Sequence, residues 1–371
     1  MGKANETKKT VYSIDLEAAL KNTRQMKLSD IAEGLEYMEL ETPPELPIMV
    51  IHIAVSKDYI FINSKGAIYK FTISGDYMRP VGRLGRGPGE YISGGSIFVN
   101  EESQTVAVIS AEKLYSYTFD GDFIGTSDIG LYNDVLVADT LIYGSFVPFG
   151  QQKYKLTVMN GQLDTLGGIP NHNIYDTKGI SMWSSMRFRD PFYTYNGDVY
   201  FKGYRDNDTV WRMDGGQYDT HAMIDMGKFK YPEPSNVDEM MAHMGDFDDK
   251  RGDYYMVNRA FEDDRYIYLD VEPYYNPDMG SPRIVFDKES MTGITAKDNS
   301  GDYGFEDDIL GGPAFWPQII TDEYYISVIE PYKLVDNTEN TDPSPALKDF
   351  LKSIDAEKSN TIIILAKRKT N

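Results

Sequence analysis

The chain has 371 residues, of which 13% are aromatic, and it carries 58 acidic against 37 basic side chains for a net charge of −21. That balance argues against nucleic acid and against an anionic membrane surface as partners, because both attract cationic proteins. Cysteine is absent, which excludes disulfides, thiolate metal sites and cysteine nucleophiles. No apolar run approaches the ~18 residues of a membrane-spanning helix.

The first 35 residues are predicted to form a polar tail with one short helix. The opening MGKANETKKT is polar and predicts disorder, as expected of a chain that starts just after a removed export signal. Ser29 is a candidate N-cap for the helix. Residues 36–42 then alternate as a strand, which Pro43 and Pro44 end.

From Ile48 onwards the sequence predicts an all-β fold. Short alternating runs separated by turn residues group into six units, which span 49–81, 96–129, 134–167, 192–225, 255–296 and 318–367. A four-strand unit of about 40–50 residues is typical of a blade in a β-propeller. The same turn spacing also fits an array of β-sandwiches, but the regular four-strand repeat favours a six-bladed propeller of antiparallel blades.

The last unit contains three strands, whereas the other five contain four. We therefore expect residues 36–42 to pair with residues 361–367 and to close the ring, since such closure removes an exposed sheet edge. On this interpretation residues 36–371 form a single propeller. Its insertion at 331–360 includes a helix at 346–354, where apolar residues recur at helical spacing.

Strand parity separates the connections into two sets. In an antiparallel four-strand blade, the turns after the first and third strands lie on one face, and the connections after the second and fourth strands lie on the other. The first set is short throughout, whereas the second set contains the long insertions. These insertions are 82–95, 168–191, 227–254, 272–282, 297–317 and 331–360. Long loops on one face of a rigid scaffold are where binding usually occurs, so we expect the site on this long-loop face.

Aromatic and arginine side chains in these loops are the candidate ligand-binding residues. Flat rings stack on sugars or on partner side chains, and the arginine fork grips carboxylates. The set is Trp183, Arg187, Arg189, Arg251, Tyr274, Tyr275 and Trp316. Alternatively, each ring fills a junction between blades. Trp211 lies in the middle of a predicted strand and is expected in the core.

No cofactor or metal is predicted. The four histidines (52, 172, 221 and 243) lack the spacing of a preformed metal site, and His52 alternates with apolar residues as part of a strand. Asp246–Asp249 cluster four residues that include three carboxylates, without the glycine and glutamate of an EF-hand, so a solvated acidic loop is favoured over calcium. Catalytic residues are not predicted either, because no GxSxG is present and sequence spacing cannot show a glycosidase pair of carboxylates.

The glycine-rich stretch GRLGRGPGEY, residues 82–91, lacks the Lys-Ser/Thr of a phosphate-binding loop and does not open a helix. It is interpreted as a tight crossing between the first two blades, in which Arg83, Arg86 and Glu90 form ion pairs.

Four passages together resemble a known family. LSDIAEGLEYMELET precedes the first unit, GRLGRGPGEY follows it, NDTVWRM lies in the fourth, and SNTIIILAKRK matches the closing strand. They are similar to the six-bladed β-propeller lipoproteins of gut Bacteroidetes, a family of unknown function whose shape is broadly that of NHL-repeat propellers. The resemblance covers residues 28–368. It implies export, lipid anchoring through a removed cysteine in the periplasm or at the cell surface, and no assigned catalytic residues.

The expected function is therefore binding of a glycan or a protein partner by an exported propeller, with no catalysis and no membrane insertion of the propeller itself. Two alternatives remain open. One is a lyase or hydrolase that acts on polysaccharide in the central funnel, which a metal requirement or a close carboxylate pair would favour. The other is a structural scaffold of an envelope complex.

Overall fold

The computed structural model describes residues 10–43, 48–146, 152–178, 190–203, 209–233, 235–239, 253–274, 276–339 and 341–369. These residues form six small antiparallel sheets arranged as the blades of a ring. The all-β prediction, the count of six blades and the closure by an N-terminal strand are all confirmed.

Before the first blade the N-terminal segment contributes a 3-10 helix (Leu28–Asp30) and four further short elements. They are β1 (Tyr12–Asp15), α1 (Leu16–Lys21), β2 (Thr23–Gln25) and β3 (Ala32–Glu39). Asp15 begins α1 as its N-cap, accepting the backbone N–H of Ala18 at 2.8 Å. Leu16 and Ala19 on the inner face of α1 are fully buried, so tertiary packing holds a helix that is too short to be stable alone.

Blades 1 to 3 follow in chain order. Each has four strands, and successive strands lie farther from the centre of the ring. Blade 1 comprises β4 (His52–Val55), β5 (Tyr59–Ser64), β6 (Ala67–Thr72) and β7 (Tyr77–Pro80). The small ladder of β8 (Arg83–Leu84) and β9 (Glu90–Tyr91) leads to blade 2, which comprises β10 (Ile97–Asn100), β11 (Thr105–Ser110), β12 (Lys113–Thr118) and β13 (Phe123–Asp128). Blade 3 comprises β14 (Asp134–Ala138), β15 (Leu141–Ser145), β16 (Tyr154–Asn160) and β17 (Thr165–Pro170).

Blades 4 to 6 complete the ring. Blade 4 comprises β18 (Phe192–Tyr195), β19 (Asp198–Phe201), β20 (Thr209–Asp214) and β21 (Gln217–Asp225). Blade 5 comprises β22 (Tyr255–Glu262), β23 (Tyr266–Pro273), β24 (Arg283–Asp287) and β25 (Thr292–Lys297). Blade 6 comprises β26 (Ile319–Ile320), β27 (Tyr324–Ile329), β28 (Ile362–Arg368) and β3, and its insertion contains α2 (Pro331–Thr338) and α3 (Pro345–Ser353).

Strand β3 closes the ring as the outer strand of blade 6. It pairs antiparallel with β28, from Ala32 opposite Arg368 to Glu39 opposite Ile362. The predicted bounds of 36–42 are wrong, because the strand starts at Ala32 and ends at Glu39. The side-chain alternation that suggested the strand begins only after Gly34, whereas backbone pairing starts before it.

The segment upstream of β3 was predicted to be a polar tail with one short helix that begins at Ser29, but it contains α1 at Leu16–Lys21 and two strands that pair with blades. Strand β1 pairs parallel with β21, and β2 pairs parallel with β25. Blades 4 and 5 therefore have five strands each. We call residues 12–39 the belt, since they run along the outer edges of blades 4, 5 and 6 in turn.

Neighbouring blades are joined at their outer ends. The outer strand of one blade, or the chain just beyond it, contacts the turn between the third and fourth strands of the next: Glu41 N–H donates to Gly75 O at 2.9 Å, and Arg79 Nη1 donates to Asp120 O at 2.8 Å. Gly75 has φ +89°, and a Cβ atom there would lie 2.8 Å from Met38 Sδ. Glycine is required at this turn for both reasons.

The glycine-rich crossing after blade 1 is structural, as predicted, but its contacts differ. Tyr91 is 1% exposed and donates its hydroxyl hydrogen to Val81 O at 2.8 Å, which fastens the loop to blade 1. Glu90 accepts the backbone N–H of Gly87 at 2.8 Å. Among the ion pairs of the described residues none involves Arg83 or Arg86, so the predicted pairing is wrong.

Buried tyrosines should make the fold sensitive to alkali. Burial raises the pKa of Tyr91 to about 12 and holds the pKa values of Tyr37, Tyr193 and Tyr268 well above the ordinary value near 10. A phenol whose pKa is raised by folding stabilises the native state fully below pH 10, and this stabilisation is lost as the pH rises through the folded pKa.

We therefore expect the free energy of unfolding to fall steeply between pH 10 and 12. Tyrosinate absorbance should show a class of tyrosines that ionises only together with loss of the far-ultraviolet dichroism signal. A smooth titration of all 28 tyrosines near pH 10 with the fold intact would contradict this expectation.

Candidate functional site

The inner strands of the six blades enclose a central channel of about 1890 Å³. Its wall is formed by β4, β10, β14, β18, β22 and β26, one from each blade, together with the turns that follow them. Because the first strand of every blade runs in the same direction, one mouth opens on the long-loop face and the other among the short turns.

The channel wall combines aliphatic and aromatic side chains with charged ones. Blades 1, 2, 3 and 6 contribute half-buried aliphatic side chains, among them Ile53, Val99, Leu136 and Ile319. Blades 4 and 5 contribute aromatic rings such as that of Phe192 as well as charged side chains such as Arg259. A largely apolar cavity with a few fixed polar groups is the usual form of a ligand site.

A polar contact spans the channel between blades on opposite sides of the ring. His52, on the inner strand of blade 1, places Nε2 3.6 Å from Oδ1 of Asp190, which directly precedes blade 4. Arg259 on blade 5 places Nε 4.0 Å from Asp190 Oδ2 and donates from Nη2 to the backbone oxygen of Gln318, at the start of blade 6. Four of the six blades are thus linked at one level of the channel.

Arg259 also belongs to a second group of charges, deeper in blade 5. Its Nη1 lies 3.7 Å from Asp270 Oδ2, and Arg283 Nε lies 4.0 Å from Asp270 Oδ1. Asp270 further accepts the indole N–H of Trp316. Two guanidinium groups therefore share the carboxylate of Asp270, and Arg259 lies between this carboxylate and that of Asp190.

Toward the short-turn mouth, the side chain of Glu262 is fully buried and its charge is compensated. Its Oε1 accepts the hydroxyl hydrogen of Tyr193 at 3.0 Å and lies 2.8 Å from His221 Nε2, while Lys288 Nζ contacts Oε2. Burial, followed by the charge of Glu262, raises the pKa of Tyr193 well above its ordinary value. This cluster fixes the inner strand of blade 5 against blade 4.

Residues 11–367 match the family model described as Domain of unknown function (DUF4934). The chain belongs to the DUF4934 family. No match is found among curated proteins.

A solved structure shows the same fold as the DUF4934 chain. A Bacteroides fragilis NCTC 9343 protein described as exported superposes with a TM-score of 0.71 at 16% identity, covering 97% of this chain and 100% of its own. The extracellular domain of a one-component system from B. thetaiotaomicron gives a TM-score of 0.36 at 10% identity, covering 75% of this chain and 37% of that one. At these identities the first likeness shows the fold alone, and the second carries no further weight.

Most of the residues that the sequence singled out in the DUF4934 chain lie outside the described residues. These are Trp183, Arg187, Arg189, Arg251 and Tyr275, together with the acidic run Asp246–Asp249. Tyr274 is half-buried and stacks on Tyr231, with ring centroids 4.0 Å apart. Trp316 is 8% exposed and stacks on Phe305 in the core. Neither Tyr274 nor Trp316 lines the channel.

The channel residues were missed because each looks ordinary in its own segment. His52 was assigned to a strand, which is correct, but its place on an innermost strand is what exposes it to the channel. Arg259 interrupts the apolar run of β22, and a charged side chain on a predicted inner strand is the signal that could have identified it.

Within the described residues, no group of three or more His, Asp or Glu side chains is arranged to hold a metal ion. Among the same residues, no helix is both long and apolar enough to cross a membrane.

Proposed function

We propose that this DUF4934 propeller is an exported binding protein that takes a glycan or a peptide into its central channel from the long-loop face. The observation that carries the proposal is the mixed wall of the channel, in which half-buried aliphatic side chains lie beside fixed polar groups such as Arg259. Such a wall buries the apolar face of a ligand while directing its polar groups to fixed partners.

Half-buried aromatic rings add to this support. Phe98, Phe192, Tyr193 and Tyr195 all line the channel. Rings of this kind stack on sugar faces or on the side chains of an extended peptide. Export is supported by the description of the B. fragilis protein with the same fold, whose whole length is covered.

The test is a screen of the purified protein on a glycan array and a peptide library, followed by two matched variants in blade 2. Val99→Trp adds bulk on the innermost strand, and Ile124→Trp adds the same ring on the outermost strand, where Ile124 is 55% exposed. We expect Val99→Trp to weaken any ligand found by tenfold or more, because it fills part of the cavity. Ile124→Trp should bind as the unchanged protein does.

Thermal melting checks that both variants stay folded. An affinity that is unchanged in a folded Val99→Trp variant would show that the channel is not the binding site. Loss of binding in the Ile124→Trp variant would show the same.

A further inference from the structure

Asp190 is the point in the channel at which donors from two different blades converge. Its carboxylate lies between His52 Nε2, 3.6 Å from Oδ1, and Arg259 Nε, 4.0 Å from Oδ2. One donor comes from blade 1 and the other from blade 5, while Asp190 itself precedes blade 4. Donors from two separate parts of the channel wall are therefore directed at a single carboxylate.

Both donors are held in place by contacts other than Asp190. The Nδ1 atom of His52 accepts the backbone N–H of Ile97 at 3.2 Å, so a neutral imidazole carries its hydrogen on Nε2, directed at Asp190. Arg259 is anchored by the backbone oxygen of Gln318 and by Asp270. The two donors would thus keep their positions if another carboxylate replaced that of Asp190.

Asp190 itself is held loosely. Its distances of 3.6 and 4.0 Å exceed the 2.7–2.9 Å typical of a charge-assisted hydrogen bond. Its side chain is 43% exposed, and its backbone has φ +43°, a left-handed conformation that is uncommon for a residue with a side chain. Partial burial opposes its charge, but His52 and Arg259 outweigh that effect and hold the pKa below the ordinary value. The carboxylate of Asp190 is therefore charged and only weakly held between His52 and Arg259.

We propose that His52 and Arg259 form a binding site for the carboxylate of an acidic sugar, a hexuronate unit in a glycan, and that Asp190 occupies this site as an internal competitor. The inference rests on the proposed function and specifies its ligand. A sugar fits better than a peptide because the edge of Phe98 packs against His52 and the rings of Phe192 and Tyr193 line the same channel, which provides stacking surfaces beside the charged pair.

The competition predicts a gain of affinity on removing the charge of Asp190. The observed affinity of a site is reduced by the fraction of molecules in which it is occupied internally. For a loosely held competitor we expect Asp190→Asn to bind an oligogalacturonate about tenfold more tightly than the unchanged protein. Arg259→Gln and His52→Leu should each lose most of the binding.

The experiment is calorimetric titration with two probes that differ only at the carboxylate, oligogalacturonate and its methyl ester. The ester should bind Asp190→Asn and the unchanged protein equally. The matched control is Asp139→Asn, which removes an exposed carboxylate from the short-turn mouth of the same channel and changes the net charge by the same amount. It should leave the affinity for oligogalacturonate unchanged.

The inference is overturned if Asp190→Asn gains nothing for oligogalacturonate, if the ester gains as much as the acid, or if Asp139→Asn gives the same increase. A gain confined to acidic peptides would overturn the assignment to a sugar. A ligand that is lost on Val99→Trp but is indifferent to Asp190→Asn would overturn this inference alone and leave the proposed function standing.

Discussion

Removal of residues 1–42 should leave a chain that aggregates instead of forming a monomeric propeller. The truncation strips β3 from β28 along Ile362–Arg368, the apolar outer part of blade 6. It also uncovers the edges of β21 and β25, which β1 and β2 occupy. Unpaired apolar edges are templates for association with other chains.

Size-exclusion chromatography and thermal melting measure this effect. The matched control is removal of residues 1–10, which ends before β1 and should change neither the elution volume nor the melting temperature. A synthetic peptide of residues 10–42 added to the truncated chain should restore the cooperative transition. A truncated protein that stayed monomeric with unchanged melting would refute the role of the belt.

A shorter truncation separates the two parts of the belt. Removing residues 1–27 keeps β3 but deletes β1, α1 and β2, and with them the fully buried Ile14, Leu16 and Ala19. Burial of one large apolar side chain stabilises by about 1.5–3 kcal/mol. We expect a folded chain whose free energy of unfolding is lower by on the order of 5 kcal/mol.

Trp316→Ala should destabilise the fold strongly, and this is the second large effect. The indole is 8% exposed, stacks on Phe305, and meets the rings of Phe261 and Tyr268 edge-on. Truncation of a buried tryptophan typically costs about 3–5 kcal/mol, because it removes the buried surface and leaves a cavity. Asp270 would also lose the indole N–H.

Urea denaturation of a second variant separates the loss of packing from the loss of the hydrogen bond to Asp270. Trp316→Phe keeps most of the ring but not the N–H donor, so we expect an intermediate loss of about 1–3 kcal/mol. Tyr332→Ala, at a ring that is 49% exposed, serves as the control and should lie within about 0.5 kcal/mol of the unchanged protein. A free energy of unfolding for Trp316→Ala equal to that of the unchanged protein would contradict the placement of Trp316 in the core.

Trp316 also illustrates what the sequence could and could not predict. Its segment was identified correctly as a long connection between blades 5 and 6, and from this it was expected to contact a ligand. The loop folds back on its own blades, however, because Phe305 and Phe315 pair through their backbones and carry the indole inward. Loop position is a local property, whereas burial depends on the path of the whole loop.

The blades were predictable because each is local. Gly75, Gly121 and Gly215 mark hairpins whose two strands are neighbours in sequence, so alternation and turn chemistry suffice. The belt could not be predicted in this way. Strands β1 and β2 are only four and three residues long, and they pair with strands about 200 or more residues away in the sequence. The contact of His52, Asp190 and Arg259 joins three blades, and no pattern within one blade encodes it.

The belt also bears on the order of events as the chain is made. Its residues are synthesised first, yet the partners of β1 lie in blade 4 and the partner of β3 is the last strand, near residue 365. Strand β3 must therefore wait, unpaired, until nearly all of the residues up to its partner have been made, and contacts such as that of Asn360 with Leu40 form late. The ring can therefore close only after the strand around residue 365 has been made, whereas the local blades can form earlier.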